Sequence, residues 1–173
     1  MFIVFTGDGK GKTTAALGQG LRAVGAGRRV LMVQFLKGPW KSGEDASVQK
    51  LAPNFTIAKM GRGFVGIMGD TLPREAHEDA ARNALLFARR EAESKTWNII
   101  ILDEVTHAVR LGLLTEQEVM EAIQGIENHL EHLIITGRDA PQSFIDRAAI
   151  VTEMRCVKHP FTDGVGGIRG LEY

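Results

Sequence analysis

Apolar positions along the chain fall into short runs separated by longer amphipathic stretches. Phe2-Ile3-Val4-Phe5 predicts a first strand, followed by a glycine-rich turn and a helix from Lys12 to Val24. Ala15, Ala16, Gly18, Gly20 and Ala23 line that helix, small residues that allow close packing on a sheet; Gly25 and Gly27 suit its end. Arg29 to Phe35 predicts a second strand, nearly continuous in apolar residues as a strand buried on both faces should be. Gly38 to Asp45 reads as a loop, Ala46 to Leu51 as a short helix and Phe55 to Lys59 as a weak third strand.

Gly61 to Pro73 holds four glycines and predicts a long irregular loop, mobile without ligand. The helix predicted over Arg74 to Glu93 carries a stripe of Ala76, Ala80, Ala84, Phe87 and Ala88. Asn98 to Leu102 is the clearest strand. Thr115 and Glu118 predict a capping box, with Leu114 stapled onto Val119 and with Val119, Ala122, Ile123 and Ile126 facing the core. Further on come a strand at His132 to Thr136, a helix at Gln142 to Ala148, a strand at Ala149 to Met154 and a glycine-rich tail from Lys158 that wraps the surface.

This alternation predicts an α/β fold: a single domain with a mostly parallel sheet and helices on both faces. In such sheets ligands bind beyond the carboxyl ends of the strands, so the residues just after each strand matter most. The 173 residues suit one domain, and lysine plus arginine balance aspartate plus glutamate at 21 each. That balance argues against a nucleic-acid binder held by phosphate charge. No apolar run approaches a membrane span and no signal-peptide pattern precedes the first strand, so a cytoplasmic enzyme is expected. The single cysteine, Cys156, excludes an intrachain disulfide and reads as a small apolar residue; the five histidines show no zinc spacing. Twenty glycines stand well above the ordinary usage of about 7%, which directs attention to where they sit.

After the first strand stands Thr6-Gly7-Asp8-Gly9-Lys10-Gly11-Lys12-Thr13-Thr14. Glycines there let backbone N–H groups converge on phosphate oxygens, and the helix behind adds unpaired donors and a positive dipole end. Lys12 supplies a mobile cation and Thr13 a hydroxyl for Mg²⁺. Thr6 departs from the strict P-loop pattern, which has glycine or alanine at that place. After the fourth strand come Asp103 and Glu104, carboxylates placed to attend a phosphate-bound cation. After the fifth comes Thr136-Gly137-Arg138-Asp139, where Arg138 meets phosphate or merely pairs with Asp139. Arg22, farther along the first helix, is a second candidate cation.

Together with Arg22-Ala-Val-Gly25, Val33-Gln-Phe-Leu-Lys-Gly38, Gly43-Glu44, Leu102-Asp-Glu104, Ile135-Thr-Gly-Arg138 and Lys158-His-Pro-Phe161, this loop resembles the P-loop ATP:cob(I)alamin (corrinoid) adenosyltransferases, nearly end to end and in order. Thr6, irregular for a P-loop, is a mark of that family. The resemblance implies a RecA-like domain, usually a homodimer, moving the 5′-deoxyadenosyl group of ATP to Co(I) of cobalamin or a precursor and releasing triphosphate. It implies that Gly7, Asp8, Gly9, Lys10, Gly11, Lys12, Thr13 and Thr14 wrap the triphosphate with Arg22 and Arg138. It further implies that Thr13 and Glu104 attend Mg²⁺ (or Mn²⁺), with Lys12 and Glu104 the catalytic pair, and that a flavoprotein-type reductant supplies Co(I). Family members often carry an extension before the first strand, and commonly Gly-Phe-Thr-Trp in the long loop. This chain reads Gly63-Phe64-Val65-Gly66, leaving Phe64 as the expected corrinoid-side ring. The alternatives are a P-loop NTPase or small-molecule kinase cleaving at the γ-phosphate, and a nucleotide-binding module without catalysis.

Overall fold

The computed structural model describes residues 1–63, 65–66, 69–160, 164 and 166–171. Six strands, β1 (Phe2–Thr6), β2 (Val30–Gln34), β3 (Phe55–Lys59), β4 (Ile99–Asp103), β5 (His132–Thr136) and β6 (Ile150–Glu153), form one sheet in the order β3-β2-β4-β5-β1-β6. Every pairing is parallel. Around the sheet lie α1 (Lys12–Gly25), α2 (Gly43–Gln49), α3 (Arg74–Glu93), α4 (Val105–Arg110), α5 (Glu116–Glu127) and α6 (Gln142–Arg147).

Successive side chains in a strand point to opposite faces, and here both faces are apolar. Val4, Leu31, Val33, Ile100, Leu102, Leu133 and Ile135 face the helices α3 to α6, joining Ala84, Ala88, Val119, Ile123 and Phe144. Ile3, Val30, Met32, Ile99, Ile101 and Ile134 face the other way, toward Ala16 and Ala23 of α1 and Val48 of α2. The predicted α/β domain is therefore present, with its sheet covered on both sides. At Gly20 a Cβ would lie 2.5 Å from the Phe55 ring, so the small-residue face of α1 is a packing requirement there. Gly18, expected on the same face, meets nothing.

Other boundaries shift for local reasons. α2 starts at Gly43, inside the segment expected to be a loop, because Ser42 and Asp45 form a capping box that Lys59 reinforces at 2.6 Å. α4 was not legible from periodicity: it has six residues and enters from Glu104 in a left-handed conformation (φ 63°). The buried stripe of α3 runs through His77, Ala80, Ala81, Ala84, Leu85, Ala88 and Ala92, while Ala76 and Phe87 sit at its margin. The Thr115–Glu118 capping box caps α5 as expected, with Glu118 N–H donating to Thr115 Oγ1 at 3.1 Å and Thr115 N–H to Glu118 Oε2 at 2.7 Å. β6 is the edge strand beside β1, and all four of its residues are exposed.

Candidate active site

The carboxyl ends of β1, β4 and β5 open onto one cleft of about 1090 Å³. Asp8 through Thr14 form its floor, with Lys37, Glu44, Glu104 and Arg138 on its walls and Cys156, His159, Gly170 and Leu171 along the tail side. The turn after β1 is held from outside. Gly9 N–H donates to Met154 O at 2.7 Å, Met154 N–H donates to Thr6 O at 2.8 Å, and Cys156 N–H donates to Asp8 Oδ1 at 3.2 Å. Gly7 and Gly11 take positive φ (99° and 118°), and a Cβ on Gly7 would lie 2.4 Å from Met154 O. The glycines are thus set both by backbone conformation and by the approach of a neighbouring chain segment.

Lys12 is only 6% exposed. Its ammonium donates to the carbonyls of Gly7 (2.8 Å) and Gly9 (2.6 Å), curling back over the turn. Burial lowers its pKa, the charge of Glu104 works in the opposite direction, and Arg138 adds to the lowering. The Thr13 hydroxyl donates to Asp103 Oδ1 at 2.8 Å, and the Thr136 hydroxyl donates to the same oxygen at 2.8 Å. Gln34 Nε2 donates to Asp103 Oδ2 at 3.1 Å, and Glu104 N–H donates to Thr136 Oγ1 at 2.9 Å. Asp103 is thereby the hub of the site. Burial raises its pKa against the three hydrogen bonds that favour its charge.

Glu104 stands beside it, and burial, then the Asp103 charge, pushes its pKa up to about 7; Lys12, Arg138 and Lys37 pull the other way. Its left-handed backbone costs on the order of 1 kcal/mol or more for a non-glycine residue, strain of a kind concentrated at functional sites. Lys37 forms an ion pair with Glu44, both on the cleft wall. After β5, Gly137 (φ 140°) presses on Thr106, whose hydroxyl donates to Arg138 O at 3.0 Å. Asp139 pairs with Arg110 at 3.0 Å and leaves Arg138 at the cleft.

The structure therefore brings together the turn from Gly7 to Thr14 with Lys12, Thr13, Glu104 and Arg138. It does not bring Arg22, which is exposed near the end of α1, about 15 Å along the helix from Lys12 by its rise per residue. Phe64 lies outside the described residues. Cys156, read as a small apolar residue, is exposed at the cleft. Sequence reasoning did not assign Gln34, Thr136 and Lys37 to the site, nor the bond from the Thr13 hydroxyl to Asp103. The available signal was position alone, since each of these residues ends or follows a strand.

The cation expected here fits the donor set. No cluster of three or more His, Cys, Asp or Glu able to hold a metal occurs among the described residues. A magnesium ion needs no such cage, because it is commonly held by one or two carboxylates with substrate phosphates and water. Thr13, Asp103 and Glu104 offer hard oxygen donors beside the phosphate turn.

All of residues 1–173 match the family described as ATP:corrinoid adenosyltransferase BtuR/CobO/CobP. The chain is 39% identical over 173 residues to the corrinoid adenosyltransferase of Escherichia coli K12, covering all of this chain and 85% of that protein. It is 38% identical to the corrinoid adenosyltransferase CobA of Salmonella typhimurium LT2, again covering all of this chain and 85% of that one. The corrinoid adenosyltransferase of Pseudomonas aeruginosa PAO1 is 33% identical, with 83% of its length covered. With a glycine turn, a buried lysine and a carboxylate hub at the ends of adjoining parallel strands, the chain belongs to the ATP:corrinoid adenosyltransferase family.

Proposed function

We propose that the cleft binds the triphosphate of ATP in the Gly7–Thr14 turn while the 5′ carbon is presented to the Co(I) centre of a corrinoid. The observation that carries this reading is the convergence of Lys12, Thr13, Glu104 and Arg138 on one cleft, as cations and oxygen donors sized for a polyphosphate. Co(I) supplies the electron pair of the new Co–C bond. The C5′–O bond breaks and its electrons leave on the triphosphate. The protein has then to align the reactants and disperse charge on the leaving group.

Lys12 would exchange its two carbonyl acceptors for phosphate oxygens, and Arg138 would meet the same chain from the β5 side. Thr13, Asp103 and Glu104 would hold Mg²⁺ or Mn²⁺, which supplies further neutralisation of the phosphates. The Gly61–Pro73 loop, carrying Phe64, would cover the corrinoid. The family resemblance supports a single-domain cytoplasmic homodimer served by a flavoprotein-type reductant. No helix among the described residues is long and apolar enough to cross a membrane.

Phosphorus NMR of a reaction with ATP, magnesium and chemically reduced corrinoid tests the reading. Stoichiometric inorganic triphosphate is expected; ADP with phosphate or a phosphorylated product would replace it with γ-phosphate transfer.

A further inference from the structure

The loop from Gly61 to Pro73 is tied down at both ends. At its start Met60 N–H and Gly61 N–H both donate to Gln34 O, at 3.0 and 3.2 Å. At its far end Asp70 gathers three donors. Gly66 N–H reaches Oδ2 at 2.8 Å, Leu72 N–H reaches Oδ1 at 3.1 Å, and His77 Nε2 lies 3.0 Å from Oδ2. Asp70 is the loop's sole acidic residue. Its side chain is 8% exposed and that of His77 is 2% exposed.

His77 stands near the start of α3, a helix anchored on the sheet through Ala81, Ala84 and Ala88. A buried carboxylate–imidazole pair adds little stability over an apolar pair of similar volume, because both groups must leave water. Its distinctive product is geometry: a fixed distance between the glycine turn at Gly66 and a rigid helix. Neither residue lines the nucleotide cleft.

We propose that Asp70 and His77 are positioning residues for the corrinoid, a latch that holds Gly66 and Leu72 in place before substrate arrives. The proposal rests on the reading that this loop covers the corrinoid. A glycine-rich loop ordered only on binding loses conformational freedom at that moment, which weakens affinity. One already shaped by its latch loses less. The benefit falls on corrinoid binding and leaves ATP binding alone.

His77→Leu tests this, since leucine fills the buried site but cannot donate to Asp70. His77→Gln restores a donor near the position of Nε2. In His77→Leu, exchange of the Gly66 and Leu72 amides should quicken by about tenfold, and KM for corrinoid should rise by roughly tenfold while KM for ATP stays within about twofold. His77→Gln should recover most of both effects. Asp70→Ala, a loop substitution that leaves α3 intact, should show the same split. Unchanged amide exchange overturns the latch. Faster exchange with unchanged corrinoid KM, or an equal rise in both KM values, overturns its positioning role. Phe64→Ala, assayed in parallel, separates the two ideas. If it raises corrinoid KM while His77→Leu does not, the latch fails and the loop assignment stands; if neither variant does, both fail.

Discussion

The phosphate turn and the Gly61–Pro73 loop are both rich in glycine, yet their glycines answer to different constraints. Gly7 and Gly9 sit against a neighbouring backbone: a Cβ on Gly7 would lie 2.4 Å from Met154 O, and one on Gly9 would lie 2.7 Å from the carbonyl carbon of Arg155. Among the described residues a Cβ on Gly66 or Gly69 would meet nothing within 4 Å, and both take a positive φ, 69° and 79°. The first region is shaped from outside by β6 and the segment after it. The second divides in two: Gly61 and Gly63 lie against the Phe35–Leu36 backbone and the Trp40 ring, whereas Gly66 and Gly69 stand in a turn held by Asp70. A glycine count treats the two alike, although one lies in a rigid cradle and the other in a loop held by a few hydrogen bonds.

Gly7→Ala should give the largest effect. Backbone collision and a disfavoured φ act together, so a loss of about 3 kcal/mol or more in stability is expected, along with loss of measurable ATP binding. Urea denaturation and calorimetric titration with ATP check both; a mild phenotype would erase the distinction between the regions.

Glu104→Gln addresses the cradle's electrostatic strain. Glu104 has a pKa of about 7 in the folded chain against 4.5 for the unperturbed group, so the folded state binds the extra proton between those values. Its stabilising contribution is complete below pH 4.5 and is lost as pH rises through about 7. Without nucleotide, wild type and variant should therefore melt alike near the low end of that window. Near pH 8 the variant should melt higher, by on the order of 10 °C, while its adenosylation turnover falls. Parallel melting curves across pH would remove Glu104 from the account.

The smallest effect is expected from Gly66→Ala. With no steric neighbour, it should cost about 1 kcal/mol for the left-handed φ and leave ATP affinity unchanged. A loss as large as that of Gly7→Ala would show that Gly66, like Gly61 and Gly63, is packed against neighbours.

Much of this was legible in the residues. Continuous apolar runs announced strands buried on both faces, and β3, β5 and α3 occupy their expected bounds. Thr6 to Thr14 carried the chemistry of the cleft because a phosphate turn is local in sequence. Long-range partners were another matter. Asp103 became the hub only when β1, β2, β4 and β5 came side by side, bringing Thr13, Gln34 and Thr136 to it across the sheet. α4 has too few residues to show a period, and Asp70 meets His77 only because α3 starts between them and turns that ring back toward the loop. Arg22 was a candidate from the resemblance, and in the fold it is exposed about 15 Å along α1 from Lys12.

The strand beneath the phosphate turn is also the outermost strand of the sheet. Among the described residues β6 pairs with β1 alone, all four of its residues meet solvent, and the carbonyl just beyond it anchors Gly9. Edge strands are where native chains fray first, opening and reclosing without global unfolding. Each such opening releases Met154 from Gly9 and Thr6, so the cradle comes apart from its rim while the central strands stay paired. Nucleotide seated in the turn would oppose that opening, so ATP should slow proteolysis at the C-terminal end.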